Sequence, residues 1–174
     1  DAVIAVSKET KIDIERLFTI KPERLHVIYN GIDLEEYRPP AESSDLLVRH
    51  GIDPAQPFLL FVGRITRQKG IVHLVRAIEM MDPGFQIVLC AGAPDPPAIA
   101  AEMKAAVQQA QAKRGGIILI EEMLPKPPVD ELYARAAVFC CPSVSEHVGV
   151  IHLEARGGER PVVAWADRGE RGVG

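Results

Sequence analysis

Aromatic residues are scarce in this sequence, at 5% of 174 residues, so a core has to be built from aliphatic side chains. The apolar content of 47% is enough for a sizeable one. Cysteine is scarce too. Cys90, Cys140 and Cys141 are odd in number and two of them are adjacent, which argues against a disulfide framework. They lie in the apolar runs VLC and VFCC, which predicts buried strand thiols. No excess of one charge is present: the net charge is −4 and the pI about 5.8. That excludes a general affinity for nucleic acid or acidic membranes. A bound anion must be held by a few placed cations. There is no secretory leader and no run of 18 apolar residues, which predicts a cytoplasmic chain without a transmembrane segment. Neither G-x-G-x-x-G nor a Walker A motif opens a helix, so the dinucleotide and NTPase classes lose support.

What is present is an alternation of apolar β-branched runs with helical patterns. AVIAV (2–6) predicts a buried strand, and Ser7 is placed to cap a helix running to about Phe18. Leu25 to Ile28 predicts a second short strand. Residues 30–57 carry NG, two adjacent prolines, Ser-Ser and DPAQP, with one short helix near 44–50. This stretch reads as a hinge between an N-terminal piece, 1–29, and a domain over 58–174. In that domain the strands FLLFV (58–62), QIVLC (86–90), IILI (117–120), VFCC (138–141) and VVAW (162–165) alternate with helices. The helices are expected over 69–81, 98–113 and 128–136, with a fourth starting near Gly149. Each strand is a continuous apolar run, the pattern of parallel strands covered on both faces. The fold class predicted is α/β, a doubly wound, Rossmann-like parallel sheet. Ligands then bind outside the carboxyl ends of the strands, at the loops 63–69, 91–97, 121–127 and 142–149.

Two of these loops carry candidate chemistry. The first reads Gly63-Arg64-Ile65-Thr66-Arg67-Gln68-Lys69-Gly70, between a strand and a helix. Arg64 and Lys69 fall beside a helix N-terminus, whose free amides and positive dipole end favour an anion. Two cations there suit a diphosphate, each charge-assisted bond contributing roughly 1.5–3 kcal/mol. A solvated basic loop is the competing reading of the spacing alone. The second constellation is Glu146 and Glu154, separated by residues 147–153. Gly149 lets the backbone approach a ligand, and the amides of Gly149, Val150 and Ile151 open the next helix. A solvated pair of glutamates is the competing reading. His147 and His152 flank the segment, but their spacing matches no zinc pattern, so no metal site is expected.

In order and at these intervals, the pieces resemble the group 1 family of retaining glycosyltransferases with the GT-B fold. Within it they are most similar to ADP-glucose-dependent glycogen synthases of the actinobacterial type. DAVIAVSKETKIDI resembles the end of the family's N-terminal, acceptor-side domain, and VIYNGID its interdomain hinge. LFVGRITRQKG resembles the diphosphate loop, LCAGAPD the next strand end, IEEML the loop near the base, and CPSVSEHVGVIHLEA the E-x7-E segment. The resemblance implies a truncated nucleotide-sugar-binding domain preceded by a short piece of its partner domain. It implies Arg64 and Lys69 on the leaving diphosphate beside Gly63, Glu146 on the transferred sugar and Glu154 on the ribose. It implies the backbone of Gly149, Val150 and Ile151 near sugar or phosphate, and Met123 and Leu124 bordering the base. The implied donor is ADP-glucose and the implied acceptor an α-1,4-glucan, met through the N-terminal domain. No cofactor or metal is implied, since the nucleotide sugar is a substrate.

The chain departs from the family near its end. His147 replaces a usual proline and His152 a usual asparagine. Arg156-Gly157-Gly158-Glu159 replaces a small apolar helix end, and two glycines in a helix interior cost about 1 kcal/mol each. AWADRGERGVG stands where a glycine-rich GGIPE-like loop is usual. Two alternatives follow: a non-catalytic relic that binds a nucleoside diphosphate, and another glucosyl- or mannosyltransferase of the same family.

Overall fold

The computed structural model describes residues 1–33, 45–92, 97–144, 150–158 and 160–164, apart from the side chains at 150–152 and 156. At the N-terminus, β1 (Val3–Ala5) pairs in parallel with β2 (Leu25–Val27) as a small sheet of its own. Helix α1 (Lys8–Leu17) connects them. It starts where the sequence predicts, because the Ser7 hydroxyl accepts the Thr10 amide at 3.0 Å and caps the first turn.

Beyond α2 (Leu46–Arg49) lies a five-stranded, wholly parallel sheet of β3 (Phe58–Arg64), β4 (Gln86–Gly92), β5 (Ile117–Ile120), β6 (Val138–Cys141) and β7 (Val162–Ala164). The strand order is β5-β4-β3-β6-β7. The connections are α3 (Ile71–Ala77), α4 (Ala98–Lys113), α5 (Lys126–Arg135) and α6 (Val150–Gly157). The continuous apolar runs of β3 and β4 are explained by two cores, whereas β7, expected to be covered on both faces, leaves Val163 58% exposed at the end of the strand order. Leu59, Phe61, Ile87 and Leu89 point to one, with α3 and α4. Phe58, Leu60, Val88 and Cys90 point to the other, with α2 and α5. Successive residues alternate faces, so a strand covered on both sides has to be apolar throughout. Helix α4 supplies Ile99, Met103, Val107 and Ala110, a buried stripe at helical spacing. Fully burying Met103 or Val107 contributes about 1.5–3 kcal/mol. Cys90, Cys140 and Cys141 are buried thiols outside any disulfide, as their apolar runs predict.

Several boundaries differ from the sequence expectation. Strands β3 and β4 run two residues further, to Arg64 and Gly92, because their ladder continues through Gly63↔Ala91 and Arg64↔Gly92 without needing apolar side chains. The expected 69–81 helix begins instead at Ile71, since Gly70 at its N-cap has a left-handed φ of 63°. It ends at Ala77 and continues as a 3₁₀ turn over Ile78–Met80. Arg114 gathers the carbonyls of Ile78, Met81 and Asp82 around that turn. Helix α5 begins at Lys126, earlier than expected, because Pro127 and Pro128 fall in a first turn whose amides need no helical partner. Gly157 is the last residue of α6 and Gly158 lies beyond it, so the two glycines end the helix and do not interrupt it. No helix among the described residues is long and apolar enough to cross a membrane.

Candidate functional site

The strand order reverses between β3 and β6, where the chain winds off in opposite directions. In sheets of this kind ligands bind outside the carboxyl ends of the strands at such a reversal, where the loops leaving β3 and β6 lie. They are joined directly. The amide of Val144, after β6, donates to the carbonyl of Gln68, after β3, at 2.9 Å. Gly70 faces the backbone of Pro142 so closely that a Cβ there would lie 1.9 Å from the Pro142 oxygen. Glycine is required at this position both for its φ and for the approach.

Within the β3 loop, Arg64 is the last strand residue and is exposed, and Lys69 is half-buried. The Lys69 amide donates to the Thr66 hydroxyl at 3.2 Å, which folds the loop back ahead of α3. A Cβ on Gly63 would crowd the Phe61 ring at 3.2 Å and would lie 4.0 Å from Lys69 Cδ, an ordinary contact that puts the lysine stem beside Gly63. The Ile65 amide donates to the Gly92 carbonyl at 3.1 Å and ties this loop to the end of β4. Both sequence-predicted cations therefore stand at the carboxyl edge of the central strand, on a loop anchored on either side.

The neighbouring loops close round this edge. Met123 lies over Gly92, where a Cβ would meet its sulfur at 3.1 Å and the Glu121 carbonyl at 3.2 Å. The Met123 side chain is 72% exposed, while Leu124 is half-buried against the α5 core. Glu121 pairs with Lys104 at 3.2 Å, and Glu122 lies 3.6 Å from His50. On α6, Glu154 is half-buried and accepts a hydrogen bond from the Tyr133 hydroxyl at 3.3 Å. Glu146 and Gly149 lie outside the described residues, and so do the side chains of Val150 and Ile151.

Burial pushes the thiols of Cys90 and Cys140 up to about 11; Glu122 adds to the shift at Cys90 and Cys141 to that at Cys140. Burial, then the Glu154 carboxylate, raises the Tyr133 phenol well above its ordinary value, so it remains a donor. Three contacts were not foreseen from the sequence: Gly70 against Pro142, Gln68 to Val144, and Tyr133 to Glu154. The Lys-Gly pair ahead of a helix was a usable signal for the first. The others join distant segments and leave no local pattern.

Comparison with known proteins places the chain. The family model described as "Glycosyl transferases group 1" matches residues 56–173, more than half the chain, and that of "Glycosyltransferase Family 4" matches residues 1–36. An α-maltose-1-phosphate synthase from Mycolicibacterium smegmatis is 46% identical over 167 residues, covering 94% of this chain and 43% of the relative. A D-inositol 3-phosphate glycosyltransferase from Xylanimonas cellulosilytica is 32% identical over 183 residues, covering 99% of this chain and 42% of the relative. The chain thus spans less than half the length of these relatives. Among solved structures, Anabaena HepE in complex with UDP and glucose superposes with a TM-score of 0.83 at 21% identity, over 99% of this chain and 46% of that one. That likeness and the parallel α/β sheet identify the fold as GT-B. The chain belongs to the group 1 glycosyltransferases.

Proposed function

We propose that this chain carries the nucleotide-sugar half of a retaining hexosyltransferase site. The observation that supports this most is the meeting of the β3 and β6 loops at the strand-order reversal, joined through Gln68 and Val144. In this reading Arg64 and Lys69, beside Gly63, hold the diphosphate, and Glu154 receives the ribose hydroxyls. Glu146 faces the transferred sugar. The backbone of Gly149, Val150 and Ile151 approaches sugar or phosphate, and Met123 and Leu124 border the base. When the bond from the anomeric carbon to the β-phosphate oxygen breaks, that oxygen takes the electron pair. Arg64 and Lys69 offset the charge as it grows. Losing one such cation in the transition state costs about 3 kcal/mol, roughly a hundredfold in rate.

The proposed donor is ADP-glucose. Proteins of this fold have been solved with UDP-glucose, in HepE, and with ADP, in a starch synthase IV from Arabidopsis thaliana. Both ligands present a diphosphate, the group the two cations suit. The acceptor has two readings, an α-1,4-glucan, as in glycogen synthesis, or a small phosphorylated compound. The second is favoured by the relatives' names, since α-maltose 1-phosphate and D-inositol 3-phosphate are both phosphorylated. Calorimetry of the chain with ADP, UDP and GDP tests the donor reading. Micromolar binding is expected, weakened about tenfold or more by Arg64→Ala. No diphosphate binding below the millimolar range, or no loss on Arg64→Ala, overturns it.

A further inference from the structure

The donor reading uses Glu154 but says nothing of what holds its carboxylate. Helices α5 and α6 lie side by side in the core that also contains Phe58 and Leu60. Ala155 of α6 is fully buried in that core, and Gly158 just beyond the helix sits beside the backbone of Tyr133. The Gly158 amide donates to the Glu154 carbonyl at 3.1 Å, which fixes the end of α6 one turn beyond that glutamate. This close approach brings Glu154 alongside Tyr133.

Tyr133 itself is held rigidly. Its side chain is 1% exposed, and its ring packs on Phe139 of β6 with centroids 5.3 Å apart and planes at 60°. A hydroxyl buried this deeply needs a partner, and it donates to Glu154 Oε2 at 3.3 Å. It uses one of the roughly four acceptor directions of a carboxylate and restrains the Oε2 end of the group. A glutamate otherwise samples many rotamers, and each has to be lost when a ligand binds.

Resting on the donor reading, we propose that Tyr133 is a positioning residue: its buried hydroxyl sets the orientation in which Glu154 receives the ribose hydroxyls of the nucleotide. The residue touches no ligand. It acts through the carboxylate, so its effect appears only with ligands that carry the hydroxyls.

The test compares ADP with 2′,3′-dideoxy-ADP by calorimetry on the wild-type chain, Tyr133→Phe and Glu154→Gln. The wild type should prefer ADP by about tenfold or more, as a site built for hydroxyls rejects a ligand without them. Tyr133→Phe keeps the ring on Phe139 and removes the hydroxyl's bond to Glu154. It should cut the preference about fivefold, the worth of a single hydrogen bond, leave dideoxy-ADP binding nearly unchanged and lower the melting temperature by only about 2–4 °C. Glu154→Gln should cut the preference as well.

Equal losses on both ligands in Tyr133→Phe, or no loss, overturn the positioning role and leave the donor reading intact. A wild type that binds both ligands alike overturns the ribose role of Glu154 and the positioning role together. A wild type that binds neither removes the donor site itself. A second measurement does not depend on the phenylalanine variant folding: fluorine replaces the Tyr133 ring hydrogen beside the hydroxyl. Its ¹⁹F resonance should shift more with ADP than with dideoxy-ADP. Equal shifts count against the proposal.

Discussion

Gly70 and Pro142 touch through their backbones where the β3 and β6 loops meet: a Cβ on Gly70 would lie 1.9 Å from the Pro142 oxygen and 2.8 Å from its carbonyl carbon. Neither atom belongs to a flexible side chain, so relief requires one loop to move. Gly70→Ala is expected to destabilise the chain by at least about 2 kcal/mol and to weaken diphosphate binding with it. Gly51 is the control. It shares the left-handed backbone, at φ 73°, but a Cβ there meets nothing within 4 Å. Gly51→Ala should cost only about 1 kcal/mol and leave binding unchanged. Chemical denaturation of both variants measures the difference; equal losses would falsify the crowding argument.

Gln86 stands at the opposite end of the sheet, buried at 4% exposure. Its Oε1 accepts the Asp53 amide at 2.9 Å, and its Nε2 donates to the carbonyls of Asp53 at 2.8 Å and Gln56 at 3.3 Å. One side chain thus fastens the segment before β3 to the start of β4. Gln86→Leu leaves those backbone groups without their partner and should cost about 1–3 kcal/mol. For a chain of this size that lowers the melting temperature by about 2–4 °C per kcal/mol. Nucleotide affinity should not change, because the site lies at the carboxyl ends. An unchanged melting temperature would show that the three bonds contribute nothing net.

The buried thiols make stability depend on alkaline pH. Cys90 and Cys140 bind their protons more tightly folded, at about 11 against an ordinary 9.0. A raised folded value stabilises fully below the unfolded value and is lost as pH climbs through the folded one. The melting temperature should therefore hold to about pH 9 and fall between pH 9 and 11, with about 2–3 kcal/mol at stake per thiol. Tyr133 shifts in the same sense. At pH 8 the three thiols should resist alkylation until the chain unfolds, because all three are buried. Rapid labelling of the folded chain would contradict this.

Much of the domain was legible in the sequence, and the reasons are particular. The bounds of β5, β6 and α4 match their apolar runs and helical stripe to the residue. Burial alone decides those elements. The ends of β3 and β4 were not legible, because Gly63, Arg64, Ala91 and Gly92 pair through backbone atoms that composition does not report. The start of α5 was masked by prolines that break a helix anywhere but its first turn. In the candidate site, Arg64 ends β3 and Lys69 lies just ahead of α3, so the run between strand and helix was legible though its two bounds were not. What holds that loop was not legible. Pro142 and Val144 come from the far side of the chain, and so does the pairing of Tyr133 with Glu154.

The central position of β3 also bears on how the chain assembles. One edge of β3 pairs with β4, its successor in sequence, as soon as that strand emerges. The other edge waits for β6, since Leu59 and Leu60 pair with Val138 and Phe139. Contacts of such long sequence separation form late. During synthesis β3, β4 and β5 with α3 and α4 therefore gather most of one core, all but the Cys140 and Val138 that β6 adds, while β3 still presents a bare row of amides and carbonyls to its surroundings. The contact between the β3 and β6 loops exists only once β6 has docked. A nucleotide held between the β3 and β6 loops would then act as a clasp on the last strand to arrive, and the amides of β6 should show the greatest gain in hydrogen-exchange protection when it binds.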